Sequence, residues 1–240
     1  MDTPRQERVY DPISAPRLHG LLNGSDPARA SRTDGLTAAL ASYQGSAKYG
    51  GAIVGSSRLV LGGHVGPVLL NLGCGTAHEA DMINVDAFLN CNPDAVWDLN
   101  EIPFPWADNS IDGINAKHVL EHLENWWGAF TECARILKPG GYLRIHVPDE
   151  SSATALCYRD HLRVFNVSSF HGVKGRPSGT NAWAKTEEDS VPLALESYFQ
   201  VPHKEYEWMA RWCPRVLRFC ANHLRNFIWE QQFVFRKIGG

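Results

Sequence analysis

Residues 67–88 read "PVLLNLGCGTAHEADMINVDAF", and the order of features in this stretch decides the fold. An apolar run, "VLLNLG" at 68–73, leads into Gly73-Cys74-Gly75, and a second run, "MINVDAF" at 82–88, carries Asp86 eleven residues after Gly75. Short runs apolar on both faces suit buried parallel strands. Glycines directly after such a strand remove the Cβ atoms that would hold a ligand away from the backbone. A lone Gly-x-Gly is equally an ordinary tight turn. What strengthens it here is the second strand with a carboxylate near its end.

The same alternation continues outward. "AVWDLN" (95–100), "GINAK" (113–117), "YLRIHVP" (142–148) and the tail "NFIWEQQFVFRKI" (226–238) read as further strands. In the tail, Phe227, Trp229, Phe233 and Phe235 share one face. The spacing predicts a helix over 125–137, with Asn125 as N-cap and Trp126, Phe130, Ala134 and Leu137 as its apolar stripe. "KPGG" then ends it. Strand, helix, stop and strand imply a right-handed crossover. The fold class expected is α/β: a doubly wound, mostly parallel sheet in a three-layer α/β/α arrangement. Residues 151–164 suit a helix, 165–200 read as irregular, and a helical pattern returns near Glu205, with Pro214 at a kink or the first turn of a second helix.

The domain reading is an N-terminal extension over 1–60 and one domain over 61–240, with 151–226 on the substrate side. Within the extension, Leu36, Leu40 and Tyr43 have helical spacing.

Composition bounds the function. With 44% hydrophobic and 20% charged residues the chain is ordinary for a globular protein, and its net charge of −3 gives no overall pull toward nucleic acid or membrane. Residues 1–158 hold 11 Lys/Arg against 18 Asp/Glu, a balance of −7, and residues 159–240 hold 12 against 8, or +4. The first residues lack the apolar core of a secretory signal, and no run approaches the length of a membrane span. Six scattered cysteines without a C-x-x-C pair suit reduced thiols, so a cytoplasmic location is expected. Cys213, Cys220 and His223 lie close in sequence, but apolar neighbours surround them and a fourth ligand is not evident. No metal is expected.

Two nucleotide cofactors bind at the carboxyl ends of such strands. A dinucleotide needs a third glycine in G-x-G-x-x-G and an acidic residue about 20 positions on; here the third position is His78 and the interval to Asp86 is shorter. S-adenosylmethionine has no pyrophosphate. It asks for a close backbone approach beside its methionine part and an acceptor for two ribose hydroxyls, which a carboxylate supplies.

Four segments in order, "LNLGCGT", "INVDAF", "WDLNEIPFPWADNSIDGINAKHVLEHL" and "ILKPGGYLRIHVPD", resemble the class I S-adenosylmethionine-dependent methyltransferases, especially the type 11 group, over about residues 66–150. The resemblance implies that Asn71, Gly73, Cys74 and Gly75 line the methionine and ribose side and that Asp86 holds the ribose hydroxyls. It places Asp98 and Leu99 at the adenine, and Lys117 and His118 beneath the sulfonium. One departure stands out: the interval from Gly75 to Asp86 is too short for a full first helix, so the methionine carboxylate would be held otherwise. Tyr43 and Tyr49 of the extension are candidates.

For acid–base work the candidates are His118, Glu121 and His122, which would share one face of a helix following the fourth strand; equally, Val119, Leu120 and Leu123 could make this a simple core helix start. His146 and Asp149 form a second-rank pair, and Tyr158, His161, Arg163 and His171 mark the acceptor side. Members of the superfamily that methylate base amino groups carry [DNS]-P-P-[YF] after the fourth strand, where this chain reads "NAKH". The Pro-Cys of cytosine-C5 enzymes is missing there too. The expected function is methyl transfer to an O or N nucleophile of a small molecule. RNA or protein acceptors, and a non-catalytic binding protein on the same fold, are the alternatives.

Overall fold

A leucine-rich run buried at every position lies inside the sheet. The computed structural model describes residues 67–170, 172–174 and 191–239. Strand β1 (Leu69–Leu72) is buried at all four positions. It is paired in parallel with β2 (Ile83–Asp86) on one side and with β4 (Ile111–Lys117) on the other. Two residues of β3 (Ala95–Val96) pair with β2, and β5 (Leu137–Pro148) pairs in parallel with β4. Strand β7 (Ile228–Lys237) runs antiparallel to both β5 and β6 (Leu193–Pro202). The order is β3-β2-β1-β4-β5-β7-β6, a mixed, mostly parallel sheet flanked by helices.

Helix α1 (Trp126–Ile136) starts as its sequence predicts: the Asn125 side chain accepts from the Gly128 N–H at 3.2 Å. Its inner face of Ala129, Phe130, Cys133, Ala134 and Ile136 is buried. Phe130 meets Phe170 and Phe235, so helix, loop and β7 share one aromatic core. Burying a side chain of that size contributes about 1.5–3 kcal/mol. Arg135 fastens the 104–108 loop to α1, donating to the carbonyls of Phe104 and Trp106 and to the Asp108 carboxylate.

Several expectations are corrected. The segment 165–200, read as irregular, contains most of β6, nine of whose ten residues pair with β7. The strand expected over 95–100 closes after Val96, because Asp98 turns the chain by accepting from the Asn100 N–H. Only Thr154–Cys157 of 151–164 is helical (α2). Strand β5 begins at Leu137, directly after α1, and "KPGG" lies within it beside a register shift against β4. The C-terminal helices are α3 (Glu207–Trp212) and α4 (Pro214–His223), with Pro214 in the first turn of α4. They carry a small core of their own, Met209, Leu217 and Cys220. Among the described residues no helix is long and apolar enough to cross a membrane. The extension, with Tyr43 and Tyr49, lies outside the described residues, as does His171.

Candidate active site

From β1 the chain moves outward to β2 and β3, then crosses back to β4 on the opposite side of β1. The carboxyl ends of β1 and β4 therefore flank the point where the winding reverses, the crevice where open α/β sheets hold ligands.

Gly73, Cys74 and Gly75 turn the chain there, both glycines with positive φ (62° and 50°). The two serve different ends. A Cβ on Gly73 would stand 2.3 Å from Val119 Cγ2, so this glycine lets the turn close on the segment after β4. A Cβ on Gly75 would meet nothing within 4 Å. The Gly75 N–H donates to Asp86 Oδ2 at 2.8 Å, and the Phe88 N–H donates to Asp86 Oδ1 at 2.9 Å. The carboxylate is thereby fixed in direction while each oxygen keeps a further lone pair. An open backbone cradle beside an oriented carboxylate fits an adenosyl cofactor with a free amino-acid arm and two ribose hydroxyls. Between Cys74 and Met82 there is no helix, in keeping with the short interval in the sequence.

Asn71, expected on the ligand side, lies under the turn. It is buried, and its Nδ2 donates to the Ala77 carbonyl and to Asn84 Oδ1, both at 3.0 Å, so it shapes the turn from beneath. Cys74 is buried as well; burial, reinforced by the charge of Asp86, pushes its thiol up to about 11. Asp98 Oδ1 accepts from both the Asn100 N–H and its side-chain amide, and Oδ2 takes no part in that turn. Leu99 belongs to the main core and borders an apolar cavity of about 10 Å³ beneath α1, at the lower limit for a single water.

Lys117, the last residue of β4, is exposed, and His118 after it adopts a left-handed conformation (φ 50°). Its N–H donates to the His146 carbonyl at 2.9 Å. This kink replaces the helix start expected at 118; a single 3-10 turn, Leu120–His122, follows. The three acid–base candidates consequently face two ways. His118 lies between two carboxylates, with Nδ1 3.3 Å from Glu121 Oε1 and Nε2 2.8 Å from Glu230 Oε2, its ring against Trp229. With a carboxyl oxygen beside each nitrogen, the ring is suited to donate from both. Burial opposes the charge of the protonated ring, but hydrogen bonds to Glu121 and Glu230 outweigh it and lift the pKa from 6.5 to about 9. His122 turns away: its Nδ1 meets the Asp160 carbonyl at 3.1 Å, and its ring packs edge-on against His161.

Glu230 is the residue that sequence reasoning missed. It is buried in β7, with Gln232 donating to its Oε1 at 2.6 Å and His146 Nδ1 at 3.1 Å, off the line of a hydrogen bond. Burial works against its charge, yet hydrogen bonding to His118, contact with His146 and the Gln232 amide hold the carboxyl well below its usual range. The available signal was an acidic residue set within the apolar tail "IWEQQFVF". Asp149, by contrast, is spent on structure. Buried at the end of β5, it accepts from the Ser151 N–H and hydroxyl through Oδ1 and from Gln200 through Oδ2. Tyr158 is exposed, and Arg163 donates to the Glu124 carbonyl.

Residues 92–145 match the family model described as "Methyltransferase domain". This segment is therefore similar to the methyltransferase domain that the sequence resembles, and the sheet order agrees with the fold expected from that resemblance. The matched segment spans β3 to β5 and leaves out the Gly73–Gly75 turn and Asp86. No curated protein matches the sequence. Among solved structures, a SAM dependent methyltransferase from Archaeoglobus fulgidus is similar at 13% identity, covering 87% of this chain and 94% of that one, TM-score 0.48. The [4+2]-cyclase SpnF is similar at 15% identity, covering 88% and 82%, TM-score 0.47. Phosphoethanolamine N-methyltransferase 2 from Haemonchus contortus, in complex with S-adenosyl-L-methionine, is similar at 14% identity, covering 72% and 49%, TM-score 0.44. At such identities and TM-scores the reactions of these proteins do not transfer to this chain.

Proposed function

We propose that the protein transfers a methyl group from S-adenosylmethionine to an oxygen or nitrogen nucleophile of a small molecule. The observation that carries this reading is the junction of Gly75 and Asp86 at the switch point of the sheet, with His118 just past the end of the neighbouring strand. The bound cofactor supplies a methyl group already activated on a sulfonium. The chain's part is alignment and exclusion of water. Asp86 is suited to accept from the ribose hydroxyls, and Gly75 to let the amino-acid arm lie against backbone. Asp98, through Oδ2, is suited to an exocyclic amine.

His118, with a carboxylate at each nitrogen, suits positioning rather than proton abstraction. The same holds for Glu121, which is 1% exposed and engaged with it. His122 alone of the three keeps a ring nitrogen, Nε2, outside these pairs. The absent base-amine motif supports a small molecule over a nucleic-acid base.

Calorimetry with S-adenosylmethionine tests the donor half. Asp86→Ala is expected to weaken binding by about 1–3 kcal/mol, the scale of a lost hydrogen-bond partner in a buried site; undiminished affinity would remove Asp86 from the ribose. Labelled cofactor incubated with metabolite, RNA and protein pools tests the acceptor half. Label in the metabolite pool is the expected result, and label confined to RNA or protein would replace the small-molecule assignment.

A further inference from the structure

Glu121, His122 and His161 converge from two segments 39 positions apart in sequence. A carboxylate oxygen of Glu121 and one ring nitrogen of each histidine all lie within 4.8 Å of one another. We propose that these three residues bind one first-row divalent metal ion, with zinc the best match.

Two buried polar atoms at this place have no protein partner, Glu121 Oε2 and His161 Nδ1. Glu121 is 1% exposed. A carboxylate oxygen shut away from water without a donor is costly, and such groups are rare unless a water or ion completes them. A cation completes both at once. The remaining contacts have the form expected around a bound ion. His122 Nδ1 is held by the Asp160 carbonyl at 3.1 Å and lies 3.3 Å from Asp160 Oδ2, so the proposal assigns Nε2 as the ligand atom. Ligating histidines are oriented in this way through their second nitrogen. Glu121 Oε1 lies 3.3 Å from His118 Nδ1, so the carboxylate is oriented too. The two imidazoles meet edge to face, with centroids 4.8 Å apart.

Two nitrogens and one carboxylate oxygen suit zinc and its first-row neighbours; magnesium and calcium prefer all-oxygen sets. Bonds of about 2.1 Å in a tetrahedral site bring ligand atoms to about 3.4 Å from one another. Closing from 4.8 Å therefore calls for a shift of roughly an ångström, most readily in the largely exposed 158–164 segment that carries His161. Three protein donors leave an open position for water or an acceptor oxygen. The ion would occupy His122 Nε2, so the metal role and a base role for His122 exclude one another. The site involves none of Cys213, Cys220 and His223, and its occupancy is independent of the methyl-transfer reading.

The test uses the full chain, stripped with a chelator and titrated with zinc by calorimetry in the absence of S-adenosylmethionine. One ion per chain is expected, with affinity lowered roughly tenfold or more in His161→Ala and in His122→Ala. Because Glu121 is buried, His161→Ala serves as the primary variant, its melting temperature in the metal-free state checking that it folds. Cobalt provides a second readout. The wild-type chain should show a spectrum without thiolate charge transfer, and His161→Cys should gain that band. No stoichiometric ion, wild-type affinity in both histidine variants, or a thiolate band in the wild-type chain would each overturn the proposal.

Discussion

The two glycines of one turn separate folding from binding. Gly73 and Gly75 both have positive φ, which disfavours any side chain by about 1–2 kcal/mol. Only at Gly73 does a Cβ also collide, at 2.3 Å from Val119. Gly73→Ala should therefore cost about 2–4 kcal/mol in urea unfolding, adding overpacking to backbone strain. Gly75→Ala should lose only the backbone part while weakening S-adenosylmethionine in calorimetry, since its methyl would enter open space beside Asp86. Equal stability losses would mean that Val119 gives way. The thiols are likewise graded by burial. Cys133 is fully enclosed and burial pushes its thiol up to about 12, Cys74 rises to about 11, and Cys157 is exposed. Alkylation followed by mass spectrometry at neutral pH should label Cys157 first and spare Cys74 and Cys133 until the chain unfolds. Early labelling of Cys74 would show that the turn opens in the native state.

At the scale of elements, β7 and the end of β4 are tied by His118 and Glu230 at 2.8 Å. Removing one partner of a fully buried pair costs about 3–5 kcal/mol. His118 is 27% exposed, so Glu230→Ala should cost less, about 2–3 kcal/mol, because solvent partly relieves the stranded charge. His118→Asn keeps a residue tolerant of positive φ, and the double variant should be destabilised by less than the sum of the two. Strict additivity in unfolding experiments would show that the contact contributes nothing. This link also marks where sequence reading stops. Strands β1, β2 and β4 and helix α1 were legible because their signals are local: continuous apolar runs, an Asn cap and a 3.6-residue stripe. β6 was not, because "LALESYFQVP" mixes faces and shifts register twice against β7. The bracing role of Asn71 was not legible either, since its partners Ala77 and Asn84 are brought to it only by the turn. Glu230 joins His118 across 112 positions of chain, which no local pattern encodes.

Among the described residues there are two cores of unequal size. The main cluster runs from Val68 through the sheet and α1 to Phe235. The second, Met209, Leu217 and Cys220, holds α3 to α4 with support from Tyr206, Ala210, Cys213 and Phe227. Large side chains on the outer side of this pair, Trp208, Trp212 and Phe219, are 57%, 74% and 60% exposed, so little apolar burial opposes its opening. Stability is distributed accordingly: units with few buried contacts open at a free energy below that of global unfolding. In native-state hydrogen exchange, amides of residues 207–223 should exchange through such a partial opening, while those of β4, β5 and β7 exchange only when the whole sheet unfolds. Leu217→Ala sharpens the comparison. Leu217 is 2% exposed, and truncating a buried leucine costs about 2–5 kcal/mol. If the helical pair is a separate cooperative unit, that loss accelerates exchange in α3 and α4 and leaves the central strands at their original rates. Matching acceleration in β4 and β5 would show instead that the pair and the sheet unfold as one body.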